Sequence, residues 1–142
     1  MEIPADVTTL GSVAALIAQT LQSQGYDPAP LFIAAGINLE DSSNPNVRFP
    51  TVKMQHLWRL ALEETGDPAF GLVVAKNFQP AALHGLGFAW LASNTLHDAL
   101  ARLVRYSHLI NSLPDFRLEH GDNTVDLVVS LPDLGPDFVY AA

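Results

Sequence analysis

Five histidines, a small group of arginines and a few interleaved aromatics are the residues of this chain best equipped for chemistry. His56, His84, His97, His108 and His120 invite a metal site or a general base, because imidazole both ligates metals and titrates near neutrality. Spacing argues against a shared ion. His97 and His108 stand eleven residues apart, so on one helix they return to nearly the same face but sit about 16 Å from each other. No HExxH or HxH pair occurs, and the expected role of these histidines is exposed or singly hydrogen-bonded. Serine hydrolysis finds no GxSxG elbow, and Gly85-Leu86-Gly87 lacks the spacing of a phosphate-cradling loop and follows no strand. No catalytic residue, metal ligand or cofactor is expected, and an enzyme is disfavoured.

The cations are more informative. Arg102, Arg105 and Arg117 are three of only seven Lys and Arg residues, and Tyr106, His108 and Phe116 lie among them. Arg102 and Arg105 are spaced i, i+3, neighbours on a helix surface. A guanidinium presents a planar fork that suits a carboxylate or phosphate, and adjacent aromatics can wall an apolar ligand body. The competing reading pairs these arginines with Asp98, Glu119 or Asp122 on the surface, where ion pairs contribute little. His84, Phe88 and Trp90 form a second group, an apolar helix with one polar handle; aromatics at such spacing more often belong to a core. The candidate ligand-binding residues are therefore Arg102, Arg105, Tyr106, His84, Trp90 and Phe116.

Helices must position most of these. Asp6, Thr8 and Thr9 offer cap oxygens ahead of Leu10, Val13, Ile17 and Leu21, whose spacing predicts a helix that Gly25 stops. Asp27-Pro28 opens a short helix closed by Gly36, and Ile37 to Pro50 reads as a surface loop. Thr51 is expected to cap a helix with Met54, Leu57, Trp58, Ala61 and Leu62 on its apolar stripe, ended by Gly66. Asp67-Pro68 repeats the opening device before an apolar helix through Phe70 to Val74, expected to be buried on most sides. Ala82 to Ala92 is a further segment. Thr95 with Asp98 forms a capping-box-like start to the strongest helix, with Leu96, Leu100, Leu103 and Val104 on one face, predicted to run to about Ile110 before Pro114. The period then changes to two. Phe116, Leu118 and His120 alternate with Arg117 and Glu119, Gly121-Asp122-Asn123 break the run, and Val125, Leu127 and Val129 resume it. This predicts a β-hairpin whose apolar face must pack on helices or meet other strands, because a lone hairpin is marginal in water. LPDLGPDFVYAA then reads as a turn and an element barely begun, so the chain is expected to be a truncated domain.

Length and composition fit a single domain over 1–142: 142 residues, 49% hydrophobic, 15% charged. So low a charged fraction predicts an exposed apolar patch. A formal net charge of −8 has the wrong sign for neutralising phosphates. The chain has no Cys, which excludes disulfides, thiolate nucleophiles and Cys-based zinc sites. MEIPADVTTL lacks the basic start of a secretory signal, and no run approaches the roughly 18 apolar residues of a membrane helix, so a soluble, cytoplasmic protein is expected.

Four strings carry a resemblance: GYDPAPLFIAAGINLED (Gly25 to Asp41), Asn46-Val47-Arg48-Phe49, ALEETGDPAFGLVVAKNF (Ala61 to Phe78) and LGFAWLASNTLHDALARLVRYSHLIN (Leu86 to Asn111). Together they resemble the N-terminal, arabinose-binding-like effector domain of AraC-type transcriptional regulators, over about Leu10 to Leu131. The sharpest matches are TGDP-x-FGL and the S-x-TL-x-x-AL-x-x-L-x-RY string carried by Ser93, Thr95, Leu96, Ala99, Leu100, Leu103, Arg105 and Tyr106. Beside the α+β domain that the residue pattern predicts, mostly helical with a C-terminal antiparallel hairpin, the resemblance implies a sensor. It also implies a small-molecule effector, homodimerisation, and DNA contact only through a separate C-terminal helix-turn-helix domain outside this chain. Relatives answer to varied molecules, amino acids and fatty acids among them, so a carboxylic or fatty acid is the expected class rather than a sugar. The alternative is a protein-interaction or dimerisation module without a small-molecule pocket, which exposure of the aromatics around Phe88 and Trp90 on one flat face would favour.

Overall fold

A computed structural model describes residues 3–134. The chain runs β1 (Thr8–Leu10), α1 (Gly11–Ser23), α2 (Ala29–Ala35), a 3-10 turn (Glu40–Ser43), β2 (Arg48–Pro50), α3 (Thr51–Thr65) and α4 (Phe70–Lys76). A second 3-10 turn (Pro80–Leu83) leads to α5 (His84–Leu91) and α6 (Leu96–Tyr106). A third (Ser107–Leu109) precedes the hairpin β3 (Asp115–His120) and β4 (Val125–Ser130). The fold is α+β, with the hairpin where the change of period puts it. Both sheets are antiparallel and two-stranded.

The core belongs to the first four helices. Ala14, Ile17, Ala18 and Leu21 of α1 lie three and four residues apart and face Leu31, Phe32 and Ala35 of α2, Met54, Leu57, Trp58 and Ala61 of α3, and Phe70 and Val74 of α4. The Trp58 and Phe70 rings meet edge to face, 6.2 Å between centroids. Gly36 and Gly66 close α2 and α3 at φ 68° and 61°, a left-handed conformation that glycine adopts without steric cost. Asp27 and Asp67 accept hydrogen bonds from the N–H of Ala29 and Ala69 at 3.0 and 2.8 Å, so both Asp-Pro pairs form tight turns ahead of α2 and α4, but neither aspartate is the expected cap, a position that Pro28 and Ala69 take with no side-chain bond.

Several expectations are corrected. Asp6, Thr8 and Thr9 do not cap α1: Thr8 and Thr9 lie in β1, and Leu10 takes the cap position with no side-chain bond. The stretch Ile37 to Pro50 is not all loop, since its end forms β2, paired with β1 from Thr8 opposite Pro50 to Leu10 opposite Arg48. Thr51 is the first residue of α3, not its cap, and its hydroxyl meets that of Thr9 at 3.0 Å. The segment expected at Ala82 divides into a 3-10 turn and a helix that starts at His84. α4 buries only Phe70 and Val74 and leaves Leu72 70% exposed, because seven residues pack on one side alone. α6 stops at Tyr106 rather than near Ile110, because the following residues bond to β1 instead of extending the helix. Ile110 O accepts from Leu10 N–H, Thr8 O accepts from Ser112 N–H, and Asn111 bridges Thr9. The hairpin pairs Phe116 with Val129 and Leu118 with Leu127, yet Val125, Leu127 and Val129 remain partly exposed. Its apolar face is thus only partly covered among the described residues. Of the last segment, residues 131–134 are described and form no regular turn, and the element expected after them lies outside the described residues.

Candidate functional site

The 3-10 turn at Pro80–Leu83 delivers His84 to the start of α5. Ser12 Oγ donates to Ala82 O and ties this turn to α1. His84 then takes φ 50° and ψ −131°, the one positive φ outside glycine among the described residues. Its Nε2 is buried and has no hydrogen-bond partner. His84 thus combines a strained backbone with an unsatisfied buried nitrogen.

His84 lines a cavity of about 520 Å³ whose walls come from four places. Leu83, Leu86 and Ala89 come from the 3-10 turn and α5, Leu109 and Ile110 from the stretch after α6, Leu10 from β1, and Asn46 and Arg48 bring polar atoms from the approach to β2 and its first residue. Tyr106, the last residue of α6, completes it. Apolar walls with a few convergent polar groups are the usual construction of a small-molecule site.

Arg48 is fastened in place. Its guanidinium donates to Thr8 Oγ1 at 2.8 Å, to Thr8 O at 3.1 Å and to the carbonyls of Leu109 and His108. It therefore joins β1 to the 3-10 turn after α6 and shapes the wall with most of its donors occupied. Neither composition nor local pattern singled it out, because its partners lie 40 and 61 residues away in sequence.

Arg102 and Arg105 stand outside this cavity, in an open groove on α6 that also contains Asp98 and Ala101. The groove and the cavity share Ala89 and Tyr106, so the two arginines form a shelf beside the cavity. Arg102 donates to Ala89 O at 2.6 Å, and the Arg105 guanidinium lies 5.4 Å from the Tyr106 ring centroid. Neither is ion-paired among the described residues, whereas Arg117 pairs with Glu119 at 2.9 Å on the surface. The six sequence candidates thus divide. His84 and Tyr106 line the cavity, Arg102 and Arg105 flank it, Phe116 lines a different cavity under the hairpin, and half-buried Trp90 lines none of these. Phe88 and Leu91 turn outward from α5, 61% and 68% exposed.

Among the described residues no group of three or more His, Asp or Glu is placed to hold a metal ion, and no helix is long and apolar enough to cross a membrane.

Residues 25–141 match the arabinose-binding N-terminal domain of AraC transcription regulators. The ornithine utilization regulator of Pseudomonas aeruginosa is 31% identical over 120 residues, 83% of this chain. The chain spans about a third of that relative's length, 35%.

Proposed function

The chain belongs to the family of arabinose-binding N-terminal domains of AraC transcription regulators, and from that premise we propose that it is the sensing domain of such a regulator, taking a small carboxylate-bearing effector in the His84–Tyr106 cavity. The family is one of regulators, not of enzymes. The observation that carries the reading is the buried, unpartnered Nε2 of His84 in the cavity wall, which a polar ligand atom would satisfy. Leu83, Leu86 and Ile110 receive the apolar part of the effector, and Arg105 with Arg102 on the shelf attracts its carboxylate. The ornithine utilization regulator among the relatives makes amino acids the first class to try. DNA contact falls to a separate basic domain, since a charge of −8 repels phosphate. Homodimers acting on promoter DNA in the cytoplasm complete the proposal. Binding switches output only if the effector prefers one conformation or oligomeric state, typically by 1–3 kcal/mol.

A thermal-shift screen with L-ornithine, other amino acids, fatty acids and sugars tests it, because a ligand that binds only the folded state raises its apparent stability. Stabilisation by carboxylates is expected. Stabilisation by sugars alone would overturn the effector class. No response in a folded protein would favour the second reading, a docking module working through exposed Phe88, Leu91 and Leu96.

A further inference from the structure

A second cavity, of about 290 Å³, lies where the root of the hairpin meets α1 and α3. Its apolar walls include Val13, Met54, Trp58, Phe116, Val129 and Leu131, and no Asp, Glu, Lys, Arg or His lines it. Thr9 and Thr51 sit in its wall, 5% and 1% exposed, with their hydroxyl oxygens 3.0 Å apart. A hydroxyl pair shares one proton in its mutual bond, so the second proton is left without an acceptor among the described residues. A buried donor in that state is costly, and an acceptor atom brought into the cavity relieves the cost. A charged ligand, by contrast, would lose hydration and find no opposite charge, since the remaining polar lining is the uncharged Gln55, Ser107 and Asn111.

We infer that this cavity is a second ligand site, for an uncharged, mainly apolar molecule carrying one hydrogen-bond acceptor such as a carbonyl oxygen, which the Thr9–Thr51 pair would engage. An apolar cavity of about 150 Å³ holds one benzene, so this one suits a molecule of up to about twice that bulk. The inference stands apart from the carboxylate site: Arg48 and His84 line the first cavity, no such residue lines this one, and the two share only Ile110.

Trp58 lines the cavity and is one of two tryptophans, so Trp90→Phe makes it the sole indole reporter. Titration of this variant with 2-heptanone should give a saturable change in Trp58 emission that sodium heptanoate at equal concentration does not give. Thr9→Val/Thr51→Val, which replaces both partners by apolar groups of similar shape, should fold and weaken 2-heptanone binding about three- to tenfold. Val129→Phe, filling the cavity from its exposed rim, should abolish it. Arg105→Ala should leave it unchanged, which separates this site from the effector site. The wild-type melting temperature, raised by 2-heptanone, supplies the same test should Trp90→Phe not fold. Equal or tighter binding of heptanoate would overturn the uncharged class. A response that survives Val129→Phe would overturn the location, and unchanged affinity in the double valine variant would overturn the role of the hydroxyls.

Discussion

At residue scale, His84 combines two costs, a positive φ and an unpartnered buried nitrogen. Holding a residue with a Cβ at φ 50° and ψ −131° costs about 1–3 kcal/mol, and the buried Nε2 of His84 lacks a partner. Glycine removes both at the expense of about 0.5–1 kcal/mol of backbone entropy. His84→Gly should therefore raise the urea midpoint, by about 1 kcal/mol in stability, while losing effector binding. A lowered midpoint would refute the strain argument. Arg105 is the complementary case. It is exposed, makes no ion pair among the described residues and lies beside the neighbouring Tyr106 ring, so Arg105→Ala should change stability by less than about 0.5 kcal/mol. Calorimetry should nonetheless show about tenfold weaker carboxylate binding, since a charge-assisted hydrogen bond contributes about 1.5–3 kcal/mol and exposure reduces that. Equal affinity in variant and wild type would remove Arg105 from the site.

At the scale of elements, α5 owes its position to a glycine. A methyl group on Gly87 would overlap the carbonyl of Pro80, whereas one on Gly85 would meet open space. Gly87→Ala should thus cost about 1–3 kcal/mol by forcing the 3-10 turn off the helix, and Gly85→Ala should gain about 0.5–1 kcal/mol, both read by urea denaturation. Similar effects at the two positions would contradict this packing. Elements with local signals were legible in the sequence. The Asp-Pro turns, the glycine stops of α2 and α3 and the cap of α6, where Asp98 N–H reaches Thr95 Oγ1 at 3.0 Å, each act within a few residues, and the hairpin declares its period of two. β1 and β2 were not legible, because three residues show no period and their reason to be extended is each other, 40 residues away. The site was half legible for the same reason. Types and clustering pointed to His84, Tyr106 and the arginine shelf, but Arg48, Asn46 and Leu10 reach the cavity only through the β1–β2 pairing.

For the whole molecule, the distribution of burial decides where a signal can travel. The cluster that packs α1 to α4 is continuous, while among the described residues from α5 onward only Leu86 and Ala99 join the buried apolar set. Segments with few buried contacts open at lower free energy than the core, so α6 and the hairpin are the parts a ligand can bias. The residues from Ser107 to Ser112 connect the two. Arg48 holds the carbonyls of His108 and Leu109, β1 holds Ile110 and Ser112, and the Ile110 side chain lines both the His84 cavity and the one under the hairpin. Ile110 is thus a wall common to the two cavities, and Phe116 and Val129 at the root of β3 and β4 line the second with it. A bound effector should slow amide exchange across Asp115–Ser130 by about five- to 150-fold, the range of a 1–3 kcal/mol coupling, and leave the already protected amides of α1 and α3 unchanged. Ile110→Ala should keep effector binding within a few-fold yet abolish that slowing, because the wall then no longer spans the two cavities. Slowing that persists in Ile110→Ala would mean that the hairpin feels the effector by another route, with α6, whose His97 ring lies 5.5 Å from that of His120, as the remaining bridge between them.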